Sequence, residues 1–232
     1  KTIRSLMTPM LLGMIAMILY NLADIYFVSR LGTSELAALS FTFPVVFLIG
    51  AVTVGFGHGT SSVCARLFGA QKIEDVGRVT IHAVLLAVAT CAVLIVAGLL
   101  SIDPLFGLLG ADEATLAIIH RYLRIYYYGL IFNVGPLIAN PVLRASGDAK
   151  TPALIMLVSA GLNIVLDPIL IFGLFGVPKL GMEGAATATV LANLGTLAAS
   201  VVAIRYRGNI VFPRSLSLHQ LTDSWRRILQ VG

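Results

Sequence analysis

Charge is what this chain has least of. Aspartate, glutamate, lysine and arginine together make up 12% of its 232 residues, and it carries two cysteines and one tryptophan. So little charge excludes an ordinary soluble domain, in which about a quarter of residues are charged. Cys64 and Cys91 each lie in or beside an apolar run, and two such residues make neither a disulfide framework nor a metal cluster. They read as small buried side chains. Acids are scarcer than bases, 11 against 16, but the placement of the bases described below argues against nucleic acid as a partner. No cleavable leader is expected either. Lys1 and Arg4 precede an apolar run, yet that run is too long for a signal core and no small-residue cleavage site follows it.

Apolar residues, by contrast, make up 58% of the chain, and the mean hydropathy is +0.94. Continuous apolar runs cover 6–28, 36–63, 79–100, 116–139, 152–175 and 184–204. Each reaches the roughly 20 residues that a helix needs to cross a bilayer. The runs do not alternate, which excludes a β-barrel. The expected fold is therefore an all-α polytopic membrane protein with six transmembrane helices in residues 1–205. Short loops are expected at 68–78 (FGAQKIEDVGR) and 144–151 (RASGDAKT), with a longer Gly/Pro/Asp connector at 99–113. Residues 206–232 read as a polar cytoplasmic linker followed, from Trp225, by the start of a seventh helix that is cut short. With the N-terminus inside, twelve of the sixteen basic residues fall on the cytoplasmic side, and only Arg30, Arg121, Arg124 and Lys179 fall opposite. That asymmetry orients the chain N-in, in a membrane of the bacterial plasma type.

Against this background two acids stand out, Asp24 and Asp167, each inside an apolar run. A carboxylate at bilayer depth costs roughly 2.5–3.5 kcal/mol on insertion scales, so such residues mark ion or substrate pathways. Asn163 and Asp167 are four apart and share a helical face, as do Tyr20 and Asp24. Pro168 follows at once and loosens the ladder at the carbonyl of Ile164. If the first and fifth spans meet, the two carboxylates form one polar cavity. There they would repel each other, and a shared proton or a bound cation would relieve the repulsion. The plainer reading makes both acids helix-end caps, with Arg30 six residues beyond Asp24.

Other features read as packing. Met7, Met10, Met14 and Met17 make a helical stripe. Gly55, Gly57 and Gly59 with Thr60, Ser61 and Ser62 form a small-residue patch for close helix approach. His58 within that patch reads as a hydrogen-bonded packing histidine. Pro9, Pro44, Pro136 and Pro141 mark kinks or helix ends. Tyr126, Tyr127 and Tyr128 suit an interface belt or the bundle interior. No nucleophile elbow, HExxH or metal cluster accompanies the acids, so an enzyme is not expected.

Four segments carry a family resemblance: 20–32 (YNLADIYFVSRLG), 143–152 (LRASGDAKTP), 162–173 (LNIVLDPILIFG) and 184–190 (GAATATV). In these the chain resembles the N-terminal lobe of the multidrug and toxic compound extrusion (MATE) transporters. The resemblance implies one six-helix lobe of a twelve-helix antiporter that exports cationic, amphiphilic compounds in exchange for H+ or Na+. By position, Asp24, Asn163, Asp167 and Thr189 look like the cation-coupling residues, with Thr189 fitting the pattern better than Thr187. Tyr20, Tyr122 and Asn140 look like their polar neighbours, and Pro9 like the proline at which the first helix bends. Leu137 departs from the polar residue expected in the fourth span. The implied partners are small organic cations, membrane lipid and a C-terminal lobe. The only co-substrate is the coupling ion, H+ or a Na+ held at the same four residues. Flippases for lipid-linked oligosaccharides share the architecture and are the alternative. The acidic character of the intramembrane charges favours cationic cargo over their phosphates.

Overall fold

The structure is a computed structural model that describes residues 2–207, 210 and 218–231; the side chains of residues 2–6, 10, 218 and 219 lie outside the description. Lys1, residues 208, 209 and 211–217 of the expected linker, and Gly232 are likewise outside the described residues, as is the Met10 side chain of the methionine stripe. Among the described residues there are helices and no strands. In order they are α1 (Thr2–Ser29), α2 (Thr33–Gly69), α3 (Ile73–Leu108), α4 (Glu113–Gly129), α5 (Val134–Ala145), α6 (Lys150–Phe172), α7 (Met182–Arg207) and α8 (Leu218–Leu229). Five of them, α1, α2, α3, α6 and α7, are long and apolar enough to cross a membrane.

The fourth expected span, 116–139, is not one helix. α4 ends at Gly129, a 3-10 turn covers Leu130–Asn133, and α5 continues the same path. Pro136 explains the break, since it has no N–H for the carbonyl of Phe132 and its ring crowds that carbonyl. A tighter 3-10 turn absorbs the mismatch. Two loop expectations also change. The segment 68–78 collapses to a turn at 70–72, with Gln71 at φ 59°, and α3 starts at once. Glu74 and Asp75 lie in its first turn, where the helix dipole favours acids. At the other end α3 runs through Pro104 to Leu108, so the connector expected at 99–113 shrinks to 109–112. Asp112 then caps α4 by accepting the N–H of Thr115 at 2.8 Å. Hydrogen bonds from Thr115 hold that carboxyl below its ordinary range.

α6 stops at Gly173, whose φ of 76° suits glycine and where a Cβ would come 2.7 Å from the N of Lys179. The loop returns over the helix end through Leu180 N–H to Leu170 O at 3.0 Å and Gly181 N–H to Ile171 O at 3.1 Å. That strap starts α7 directly beside α6. Around α6, α1 packs on one side and α7 on the other, while α2 lies against α3, α4 and α5. The apolar interior forms one group at the end with the α1–α2 turn (Val28, Phe106, Ile119, Leu123, Ile171) and another at the opposite end (Val76, Ala83, Val142, Ile228). α8 belongs to the second group. Its Ile228 is buried, and Gly59 of α2 makes room for the Ile228 carbonyl, which a Cβ there would meet at 2.2 Å. Gly59 of the small-residue patch on α2 therefore serves close packing.

Candidate functional site

Because α1 and α6 are neighbours, Asp24 and Asp167 come within electrostatic reach of each other. Asp167 and Asn163 are buried, at 0% and 1% exposure. The Asn163 amide has two orientations. In one, Nδ2 donates to Thr189 Oγ1 at 3.4 Å. In the other, Nδ2 donates to Asp167 Oδ2 at 3.0 Å and Oδ1 accepts the Thr189 backbone N–H at 3.3 Å. The second satisfies both ends of the amide and is the chemically consistent one. Thr189 Oγ1 donates to Ala185 O at 3.1 Å, so its oxygen is left to accept from the Tyr20 hydroxyl, with which it shares a hydrogen bond. Tyr122 faces the charges of both acids from α4 and stacks on Tyr126 at 6.2 Å between ring centroids. Each acid keeps one buried oxygen, Asp24 Oδ1 and Asp167 Oδ1, without a hydrogen-bond partner. Unpartnered carboxylate oxygens away from water are costly, and a proton or small cation between them would satisfy both.

The structure thus gathers Tyr20, Asp24, Tyr122, Asn163, Asp167 and Thr189 into one polar cluster. Thr187 turns away and donates to the Glu183 carbonyl at 2.7 Å. Asn140, on α5, has a buried Oδ1 with no hydrogen-bond partner among the described residues. Pro9 lies within α1, which stays one helix from Thr2 to Ser29. Of the three tyrosines at 126–128, Tyr127 is buried in the bundle and Tyr128 is exposed.

A cavity of about 640 Å³ opens beside this cluster. α1, α2, α5, α6 and α7 line it, and Tyr20, Asn163 and Thr189 form the wall it shares with the cluster. Asp24 and Asp167 are not on its surface, and its lining carries one formal charge, on Arg144. His58 also lines it and is exposed, which corrects the expectation of a hydrogen-bonded packing histidine. The sequence singles out Asn140 and Leu137, but not Asn133 and Arg144, which recur with them at helical spacing and mark the same face.

A family model, MatE, matches residues 9–169. The chain belongs to the MATE family. Its members are integral membrane transporters, not enzymes. The chain is 35% identical to the FAD transporter of Shewanella oneidensis, a match covering 100% of this chain and 51% of that protein. It is 33% identical to the probable multidrug resistance protein YoeA of Bacillus subtilis, over 87% of this chain and 44% of that one. A solved MOP superfamily transporter from Pyrococcus furiosus, described as having a binding pocket of reverse polarity, superposes with a TM-score of 0.87 at 35% identity. That match covers 100% of this chain and 50% of the other. The MATE chain therefore spans about half the length of the curated relatives it matches.

Proposed function

We propose that this MATE chain is one lobe of a secondary antiporter that exports amphiphilic organic cations in exchange for H+ or Na+. The observation that carries the reading is the pair of buried carboxylates, Asp24 and Asp167, each with one unpartnered oxygen. A proton or sodium ion entering between them relieves their repulsion, with Asn163, Thr189 and Tyr20 as ligands or hydrogen-bond partners. Loading draws α1 towards α6, and Pro9 is the point at which α1 bends. The ion biases the lobe only to the extent that it binds one conformation better than the other. By linkage, the drug biases ion affinity in return. Drug cargo is supported by the name of the Bacillus relative, and the N-in orientation in a plasma membrane by the asymmetry of basic residues. A second lobe completes the cleft.

One observation favours a second reading of the cargo. The acids sit behind the cavity wall, not on it, so they handle the small ion without making the cargo space acidic. An anionic solute, such as the flavin dinucleotide named for the Shewanella relative, fits that lining as well. The flippase alternative gains no support from the relatives described. The test is ethidium accumulation in everted vesicles that contain the full-length transporter, wild type and Asp167→Asn, under a pH gradient and separately a sodium gradient. Accumulation that follows one gradient and disappears in the variant names the coupling ion. Accumulation that survives the substitution removes Asp167 from the mechanism.

A further inference from the structure

Arginines at the cytoplasmic ends of spans ordinarily reach out to water and lipid headgroups. Arg144 does not. Of the described lysine and arginine side chains, only Arg78 and Arg144 are drawn partly inside. Arg78 has Asp75 and, at 3.0 Å, Gln220 as partners. Arg144 has neither an ion pair nor a side-chain hydrogen bond among the described residues, and it faces the cavity. One turn earlier on α5 is Asn140, 9% exposed, whose side chain lies on the same cavity and whose amide N–H groups can donate to an anion. His58 and Ser61 of α2 line the same space. The cavity volume of about 640 Å³ is that of a site for a drug-sized molecule. No carboxylate on the lining neutralises the guanidinium.

We infer that Arg144, with Asn140 one turn away, forms a docking point for a phosphate or similar oxyanion on the transported solute. The inference rests on the transporter reading above, taken with its second, anionic cargo, and adds the group that is recognised: a phosphate or similar oxyanion. A guanidinium receives such a group through two parallel N–H bonds, and a partly buried one does so with little competition from water. The cation cluster behind Tyr20, Asn163 and Thr189 stays free for the coupling ion, so cargo and ion occupy separate places.

The test compares flavin mononucleotide with riboflavin, which share a ring system and differ by one phosphate, in vesicles of the full-length transporter. Ethidium transport by the wild type serves as the control for transport itself. The expected result is a preference of about tenfold for the phosphorylated flavin, the size of one charge-assisted contact. Arg144→Gln should abolish that preference and Arg144→Lys should keep part of it. Equal handling of the two flavins by the wild type overturns the inference, even if Arg144→Gln fails to fold. So does a preference that survives in Arg144→Gln. Ethidium transport without flavin preference sinks the oxyanion site alone, whereas transport of none of the three sinks the transporter reading with it. Repeating the comparison in purely zwitterionic vesicles and in vesicles containing phosphatidylglycerol separates the sources of phosphate. A preference erased by the anionic lipid means that a headgroup, not cargo, occupies Arg144, and overturns the assignment.

Discussion

Asn163 and Asp167 are joined across one turn of α6: the amide Nδ2 donates to Oδ2 at 3.0 Å, while the other carboxylate oxygen, Oδ1, has no partner. The amide thereby fixes the rotamer of a buried acid and leaves its free oxygen to be satisfied by something that comes and goes. An acid retained only for structure would be better replaced. Asp167→Asn should therefore leave thermal stability in detergent unchanged or higher, by at most about 2.5–3.5 kcal/mol, the insertion cost of a carboxylate at mid-membrane. Ion-driven transport should be lost in the same variant. Melting curves and transport on one preparation check both. A variant that melts lower and still transports would make Asp167 a structural residue.

The i, i+4 spacing made the Asn163–Asp167 pair legible in the sequence, because helical geometry alone puts both on one face. That Asp24 meets them depended on which helices pack together, which the spacing leaves open and the α1–α6 contact decides. The apolar runs gave five of the spans. The fourth run is continuous in hydrophobicity across Pro136, so composition marks its path but conceals the break that backbone chemistry imposes. The polar segment 68–78 misled in the opposite way: apart from Lys72 in the turn, its charged residues, Glu74, Asp75 and Arg78, belong to α3 and not to a loop. Least legible was the separation of the acids from the cargo cavity. It arises from three side chains, on α1, α6 and α7, meeting in space.

α7 approaches α6 closely at Gly184, where a Cβ would lie 2.6 Å from both the carbon and the oxygen of the Leu170 carbonyl. Backbone cannot swing aside as a flexible side chain can. Gly184→Ala should thus cost about 1–3 kcal/mol, as overpacking does. Gly195→Ala on the same helix should be close to neutral, since its nearest neighbour would be Leu162 Cδ1 at 3.4 Å. Thermal melts of the two variants side by side provide the check, and equal losses would refute the close approach.

At the start of α6, Asp148 accepts the backbone N–H of Lys150 at 3.1 Å and of Thr151 at 3.0 Å, and the Thr151 hydroxyl as well. Burial alone would raise its carboxyl, but these hydrogen bonds, with Arg207 nearby, bring it below the usual 3.8. A depressed acid stabilises the fold above its unfolded value, and that contribution is lost as pH falls through the folded value. Wild type should therefore melt above Asp148→Asn at neutral pH, with the gap closing below about pH 4. A gap that stays constant into acid would mean that the charge of Asp148 contributes nothing.

α8 is held by His82, which is fully buried on α3. Ser224 Oγ uses its proton on the Gln220 carbonyl at 2.9 Å, so the 2.8 Å contact between His82 Nδ1 and Ser224 Oγ has the histidine as donor. Trp225 Nε1–H donates to the His82 carbonyl at 2.8 Å, placing a second bond on the same residue. Ser224→Ala leaves the Nδ1–H buried and unpaired, a loss of about 1–3 kcal/mol. His82→Phe keeps the ring and removes the donor. The double variant should then cost less than the sum of the singles by about 0.5–1.5 kcal/mol, the net value of one hydrogen bond. A double-mutant cycle by thermal melting measures that difference. Strict additivity would mean that the two side chains do not bond, and that Ile228 beside Gly59 holds α8 through packing alone.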